Sequence, residues 1–293
     1  MDVFRKPGVR AWFRGVAAGL AGFSLLYLFV LDFFVVNSRD MESSFSRGDL
    51  LLVSKSAGRF SRGEVVLLRY SEADSSQSVT QFIQRLVALP GDCVSVINKV
   101  VFVNGVSQAD LPGEKHNYFI KSRHKALDSV FITGHYLLEG GPVSEGLDYS
   151  FSLSRGQKEA LEKDSAIESI QLKCEQEGMK DQTCFQPGYG SMWNVDFYGP
   201  LYVPKRGDKI DLDSASLSLY EDLIVRYEKN SLEYRHDSIF VNGSAVKTYT
   251  VQQDYYFVLG DNRDNATDSR RRGFLPESDI RGKVLCRLKK GKL

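Results

Sequence analysis

Three short stretches carry the side chains that could do chemistry. Residues 38–49 read Ser-Arg-Asp-Met-Glu-Ser-Ser-Phe-Ser-Arg-Gly-Asp, residues 81–92 read QFIQRLVALPGD, and residues 260–270 read GDNRDNATDSR. They offer hydroxyls (Ser38, Ser43, Ser44, Ser269), carboxylates (Asp40, Asp261, Asp264, Asp268) and an amide, Gln84. A hydroxyl attacks an amide bond only when a base removes its proton. None of the three stretches contains a lysine or a histidine. Lys55 ends the strand after the first stretch, where a solvated or structural lysine is the default. His116, His124, His135 and His236 lie elsewhere, so a Ser-His-Asp arrangement lacks support. Two carboxylates sharing a proton across a water are conceivable, with Asp40 paired to Asp268 or Asp264. No paired Cys-x-x-Cys or nearby histidine supports a zinc site. No metal and no cofactor are therefore expected.

The three stretches resemble the signature boxes of the type I signal peptidase family. The third is the most specific, with GDNRDN, then DSR, then Gly273, Phe274 and Pro276. The first is carried by Ser38, Met41, Glu42, Gly48 and Asp49, with Ser43 and Ser44 where the family has Pro and Thr. FYGPLYVPKRGD at 197–208 also looks like long-form members, and the resemblance runs over roughly residues 30–293. It implies a mostly β, membrane-anchored fold with an inserted cap. It further implies a nucleophilic serine at position 40, a general-base lysine at 84 and a base-orienting serine at 266. This chain has Asp40, Gln84 and Ala266 there. Ser38 matches the oxyanion-hole hydroxyl. Met41, Gln81, Phe82, Ile83 and Arg85 match peptide-lining positions. Arg85, Asp261, Arg263, Asp268 and Arg270 match positions that build the scaffold by ion pairing. That last correspondence argues against a carboxylate-pair protease.

The three substitutions remove a mechanism. Attack by the Asp40 carboxylate on an amide would give a mixed anhydride while expelling an amine, a steeply uphill step. Gln84 cannot accept a proton. Ala266 has no hydroxyl to orient a base. Loss of a nucleophile or base costs several orders of magnitude in rate. The expected function is that of a non-cleaving family member that binds signal peptides or a partner, which could be an active signal peptidase. The alternative is an active signal peptidase I. Two placements of Asp40 stay open. It could occupy its own oxyanion hole, taking hydrogen bonds from Ser38 and Gln84, or it could point to solvent. Arg271-Arg272 stands where the family usually has aromatics and reads as solvated surface, ahead of a contact with anionic lipid.

The elements that must position these residues start with an apolar run. Gly15 to Val36 carries one ionisable side chain, Asp32. As a helix it would reach roughly 33 Å, enough to cross a hydrocarbon core. Arg5, Lys6, Arg10 and Arg14 precede it, which places residues 1–14 in the cytoplasm and residues 37–293 outside. The expected location is the cytoplasmic membrane, single-pass, in contact with lipid. A cleaved leader fits less well, because Phe-Phe-Val-Val-Asn has no small-x-small cleavage site. Net charge is +1, from 38 basic and 37 acidic residues, so no bulk field selects nucleic acid.

Beyond the run, strands are expected at 50–53, 64–70, 81–89, 92–103, 238–241, 255–259 and 283–288. Asn104-Gly105 marks a turn. VVFVNG at 100–105 and SIFVNG at 238–243 read as two hairpins of one sheet system. Residues 107–198 read as an irregular polar insertion with a short helix near 156–163. Residues 214–229 place Leu217, Tyr220, Ile224 and Tyr227 on one helical face. Cys93 and Cys286 read as buried thiols. Cys174 and Cys184 flank a polar loop in an exported region and are expected to form a disulfide.

Overall fold

The structure, a computed structural model, describes residues 7–55, 58–71, 79–109, 111, 113–144, 146–188, 190–235 and 238–291. His236 lies outside them.

The fold is mostly β, as expected. Its central sheet has seven strands in the order Leu31–Val35, Leu50–Ser54, Ile280–Lys289, Val65–Ser71, Val79–Ala88, Tyr255–Leu259, Leu275–Pro276. Every neighbouring pair is antiparallel. Alternation sorts the side chains. Val66, Leu68 and Phe82 face one cluster with Tyr256 and Val258. Val65, Leu67 and Ile83 face another with Phe34, Val36 and Leu51. Both faces of the sheet are thus covered, which is why these strands read as near-continuous apolar runs.

The expected strand over 92–103 is two strands, Cys93–Ile97 and Val100–Val103. Asn98 and Lys99 turn between them with φ of 50° and 68°. Asn-Lys is a weaker turn signal than Asn-Gly, which hid this hairpin. Asn104-Gly105 and Asn242-Gly243 are turns with positive φ at both residues, so the two VNG segments are hairpins as expected, but they belong to two separate sheets and not to one.

The region 107–198 is more ordered than the sequence suggests. Strands Ile167–Leu172, Lys115–Ser122, Asp148–Ser154 and Gly140–Pro142 form a sheet of their own. Its core is Ile120, Tyr149, Phe151, Leu153, Leu161 and Ile167. The helix Arg155–Leu161 begins with a capping box between Ser154 and Gln157. Polar residues on the open face of this sheet disguised it. The cap sheet is tied to the body through Lys115, whose N–H donates to the Asp261 carbonyl and whose carbonyl accepts from the Arg263 N–H. The helix at 214–229 is present as Ser214–Asp222 followed by a π-helical turn, Leu223–Tyr227. Leu223 and Ile224 are buried there, and Leu217, Tyr220 and Tyr227 pack against the main core.

Two expectations need correction. The apolar run 15–36 is not one continuous helix. The helix is Pro7–Phe29, and Leu31–Val35 is a strand paired with Leu50–Ser54. Asp32 explains the break. Its carboxylate lies 3.7 Å from the Lys55 ammonium, and the backbone around it is committed to the sheet. Among the described residues no helix is long and apolar enough to cross a membrane. The Cys174–Cys184 disulfide is also absent, and all four cysteines are free thiols. The Cys174 sulfur turns to the Asn98 side chain at 3.2 Å, while Cys184 is buried in the main core. Burial pushes the Cys184 thiol up to about 12, with the Asp181 charge adding to it. The loop between them is instead held by Asn194, whose Nδ2 donates to the carbonyls of Gln176 and Met179. Cys93 is partly exposed and Cys286 exposed, so neither is a buried thiol.

Candidate functional site

The site is built on the strand Val79–Ala88, the segment 36–49 and the turn 260–270. Arg85 anchors the first to the third. Its guanidinium grips Asp261 with Nε–Oδ1 at 2.8 Å and Nη2–Oδ2 at 2.5 Å, and Nη1 donates to the Gly63 carbonyl at 2.7 Å. The Ser44 hydroxyl donates to the same carboxylate at 2.5 Å, which ties in the second segment. The Asp261 N–H points at the Met41 sulfur, 3.3 Å away.

Asp268 and Arg270 form the inner scaffold. The carboxylate accepts Arg270 Nε at 3.0 Å and Nη2 at 2.8 Å, and also the Gly260 N–H at 3.2 Å. Both side chains are buried. Arg263 donates to the Gly260 carbonyl at 3.0 Å and pairs with Glu114. All five scaffold residues named from the sequence are therefore engaged in ion pairs. Asp268 accepts from Arg270 and from the Gly260 N–H, which argues against its sharing a proton with Asp40. Asp264 is committed too. It sits 2.7 Å from the Lys99 ammonium and accepts the Asn117 N–H at 2.6 Å. Despite burial, His116, Lys99 and the Asn117 N–H hold this carboxyl well below its ordinary range.

Asp40 behaves differently. It is partly buried, and its main chain is clamped by an Asn262 N–H donating to its carbonyl at 2.9 Å. Burial pushes its carboxyl up to about 6, and the neighbouring Asp268 charge adds to the rise. The Thr267 N–H, the Arg272 guanidinium and the Ser38 hydroxyl pull the other way. Ser38 is only a loose partner. Its Oγ is buried and makes no hydrogen bond of full geometry. Asp40 is thus partly buried rather than pointing to solvent, but it does not take the hydrogen bonds from Ser38 and Gln84 expected of an occupied oxyanion hole.

Gln84 does not reach Asp40 as expected. It is buried, and its Nε2 donates to the Thr267 carbonyl at 3.0 Å. Thr267 therefore bridges the two positions, with its N–H toward Asp40 and its C=O toward Gln84. Ala266 is buried one residue earlier, its Cβ packed over Gly260.

The peptide-lining expectations divide. Met41 and Ile83 are fully buried core residues, and Phe82 is nearly so. Their side chains belong to the apolar clusters on the two sheet faces, so they do not line an open groove. Gln81 is exposed. Among the described residues, 79–84 pair with Val66–Ser71 on one side and with no strand on the other, since Tyr255–Leu259 pairs with this strand only at 85–88.

Arg272 is the residue that sequence reasoning misjudged. It does not belong to a solvated surface. Its guanidinium carbon stacks 4.0 Å from the Tyr70 ring centroid and 4.8 Å from that of Phe82, and Nη1 is buried without a partner. It lines a narrow cavity of about 30 Å3 with Gln84, Asp268 and Phe82. Tyr70 lies far away in sequence, and nothing in an Arg-Arg pair signals stacking on it. Arg271 points the other way, 3.3 Å from Asp181. Among the histidines, His116 Nδ1 lies 3.8 Å from Asp264, His135 Nε2 lies 3.3 Å from Asp164, and His124 is exposed on the cap. None touches Asp40.

Known proteins match this chain over most of its length. The family described as "Signal peptidase, peptidase S26" matches residues 9–161 and 203–288. A signal peptidase I of Aquifex aeolicus is 24% identical over 276 residues, covering 92% of this chain and 81% of that protein. A signal peptidase I P of Bacillus subtilis subsp. natto is 24% identical over 161 residues, covering 54% and 79%. A signal peptidase I of Buchnera aphidicola subsp. Acyrthosiphon pisum is 40% identical over 107 residues, covering 33% and 34%. The unmatched segment 162–202 begins in the cap sheet and ends with the strand Phe197–Tyr202 on the body. With the scaffold pairs in place around positions 40 and 84, the chain belongs to the signal peptidase family, peptidase S26.

Proposed function

We infer that this family member binds peptides at the membrane surface and does not cleave them. The observation that carries the reading is the pair of groups at the reacting positions. Asp40 presents a carboxylate where the resemblance implies a hydroxyl, and the buried Gln84 presents an amide tied to Thr267 where it implies an amine. An amide has no basic lone pair to take a proton at working pH. Lys99 and Lys115 are paired with carboxylates of their own. The matched relatives are named signal peptidase I, and an active signal peptidase cleaving exported preproteins is the competing reading.

The peptide would pair with the open edge of residues 79–84 through main-chain hydrogen bonds, a mode in which small side chains fill shallow pockets. Membrane association is supported by the helix Pro7–Phe29, which exposes Trp12, Phe13, Val16 and Leu20, and by basic residues at its start. Those charges favour an N-terminus on the cytoplasmic side with the body outside. Lipid, a signal peptide and an active signal peptidase are the partners this placement would offer, and nucleic acid is not among them.

Incubation of the full-length protein with a preprotein in neutral detergent tests the reading. No cleaved product is expected from the wild type or from Asp40→Ser. Asp40→Ser with Gln84→Lys and Ala266→Ser is the smallest set expected to restore turnover, since a lysine at 84 could donate to the Thr267 carbonyl as Gln84 does. Wild-type cleavage that disappears in Asp40→Ala would overturn the reading and make Asp40 a working catalyst. Asp40→Asn should tighten binding of an Ala-x-Ala peptide, because the Asp40 carboxylate repels a peptide carbonyl oxygen.

A further inference from the structure

A large cavity lies outside the site above. It has a volume of about 840 Å3 and opens between the segment 39–48 and the cap sheet. One wall is Arg39, Glu42, Ser43 and Arg47. Lys115 also lines it, and the cap contributes Tyr136, Leu138 and Glu139. The volume falls in the range of small-molecule sites.

Its charges are unusual for a surface cleft. Lys115 is nine-tenths buried, yet its ammonium has one acidic neighbour, Glu139 Oε2, at 3.5 Å. That oxygen is already taken by Asn262 Nδ2 at 2.8 Å. Among the described residues, the guanidiniums of Arg39 and Arg47 have no ion pair or hydrogen bond. Glu42 opposes them in part, and Glu139 offsets Lys115, so one positive charge is left over on the lining. Two planar forks and a buried ammonium suit a tetrahedral oxyanion. Tyr136 and Leu138 are exposed at the cap side and would cover an apolar body.

The segment reaches this shape through Ser43. Its φ is +85°, in the left-handed region. Proline, which the resemblance implies at this position, has its φ fixed near −65° and cannot follow this path. The next residue, Ser44, reaches Asp261.

We propose that this cavity is a second binding site, and that it takes a phosphate group carried on an apolar body. Two sources share that chemistry, a soluble phosphate ester and the phosphate head of a lipid. The proposal does not depend on peptide binding at Asp40, and its test contains no peptide.

Titration calorimetry on the full-length protein in neutral detergent decides it. The probes are inorganic phosphate, glycerol 3-phosphate, dihexanoyl phosphatidic acid and, as a control without net charge, dihexanoyl phosphatidylcholine. Saturable binding of the phosphatidic acid is expected, and none of the phosphatidylcholine. The exposed pair Arg39→Gln with Arg47→Gln should weaken it about tenfold or more, equivalent to about 1.4 kcal/mol, with an unchanged melting temperature. Lys115→Met should weaken it as well. Glycerol 3-phosphate binding as tightly as phosphatidic acid would identify a soluble ester as the source, and much tighter phosphatidic acid would identify a lipid head. Absence of saturable binding by every phosphate probe, or undiminished binding in the double variant, would overturn the site.

Discussion

Two groups of charges lie within a few residues of each other and are treated in opposite ways. Asp261 and Asp268 each have a guanidinium partner, and the pairs are buried and directional. Around Asp40 the partners are loose. Ser38 Oγ makes no full hydrogen bond, Arg272 Nη1 has none, and Gln84 bonds past Asp40 to Thr267. The first group ties the strand Val79–Ala88 to the turn 260–270. The second fills positions that the resemblance assigns to reacting groups, and it is held only in part. Scaffold and reacting positions are therefore separable in this molecule, and substitution at the second leaves the first intact.

The comparison breaks most sharply at Asp268. Asp268→Asn leaves the Arg270 guanidinium buried with half its partner gone. Losing one side of such a pair costs about 3–5 kcal/mol. Thermal or urea unfolding of the full-length protein should show it, and a change under about 1 kcal/mol would mean the pair is not holding the turn.

At Asp40 the sign reverses. A carboxyl with its folded value raised to about 6, against 3.8 in the unfolded chain, binds its proton more tightly when folded. Its charge therefore costs nothing below about pH 4 and progressively more as pH rises through 6. Asp40→Asn should stabilise the protein by about 2–3 kcal/mol above pH 7 and by little below pH 4. Unfolding measured at both pH values checks this, and a pH-independent difference would contradict it. The contrast with Asp268→Asn, the same chemical change with the opposite sign, is the sharpest form of the comparison.

Arg272→Gln should have a smaller effect. It removes stacking on Tyr70 and Phe82, worth about 1 kcal/mol, and takes a positive charge away from Asp40. The Asp40 titration midpoint, followed by carboxyl NMR, should move upward. A midpoint that stays put would show that the two groups do not interact. Ser43→Gly is expected to have the smallest effect, a gain of about 0.5 kcal/mol where the left-handed backbone is relieved at some cost in chain entropy. A loss on melting analysis would mean that the serine hydroxyl supports this turn.

The scaffold was legible through the resemblance of GDNRDN and DSR to the family's third box; of its ion pairs only Asp268–Arg270 is local, while Asp261 pairs with Arg85 and Arg263 with Glu114. Asp261, Arg263, Asp268 and Arg270 are engaged as expected, and Arg85 joins them. The central strands were legible as local apolar runs, because both faces of their sheet are covered. What failed depended on contacts between distant residues. Gln84 meets the carbonyl of Thr267, Arg272 meets Tyr70, and Lys99 meets Asp264, and none of these pairs leaves a local mark. Met41, Phe82 and Ile83 sit in signature stretches, yet the sheet buries their side chains. The end of the apolar run was missed because hydropathy does not distinguish Leu31–Val35 in a strand from the same residues in a helix. Asp32 was the available clue.

Gly260 bears on how far this protein stands from its relatives. A Cβ there would lie 2.6 Å from the Asp40 carbonyl oxygen and 2.4 Å from the Ala266 Cβ. The main chain of position 40 and the Cβ of position 266 are thus packed against one bare glycine, and neither contact involves an atom beyond Cβ. Such a frame stores geometry independently of chemistry. It lets the side chains at positions 40 and 266 be exchanged without being rebuilt.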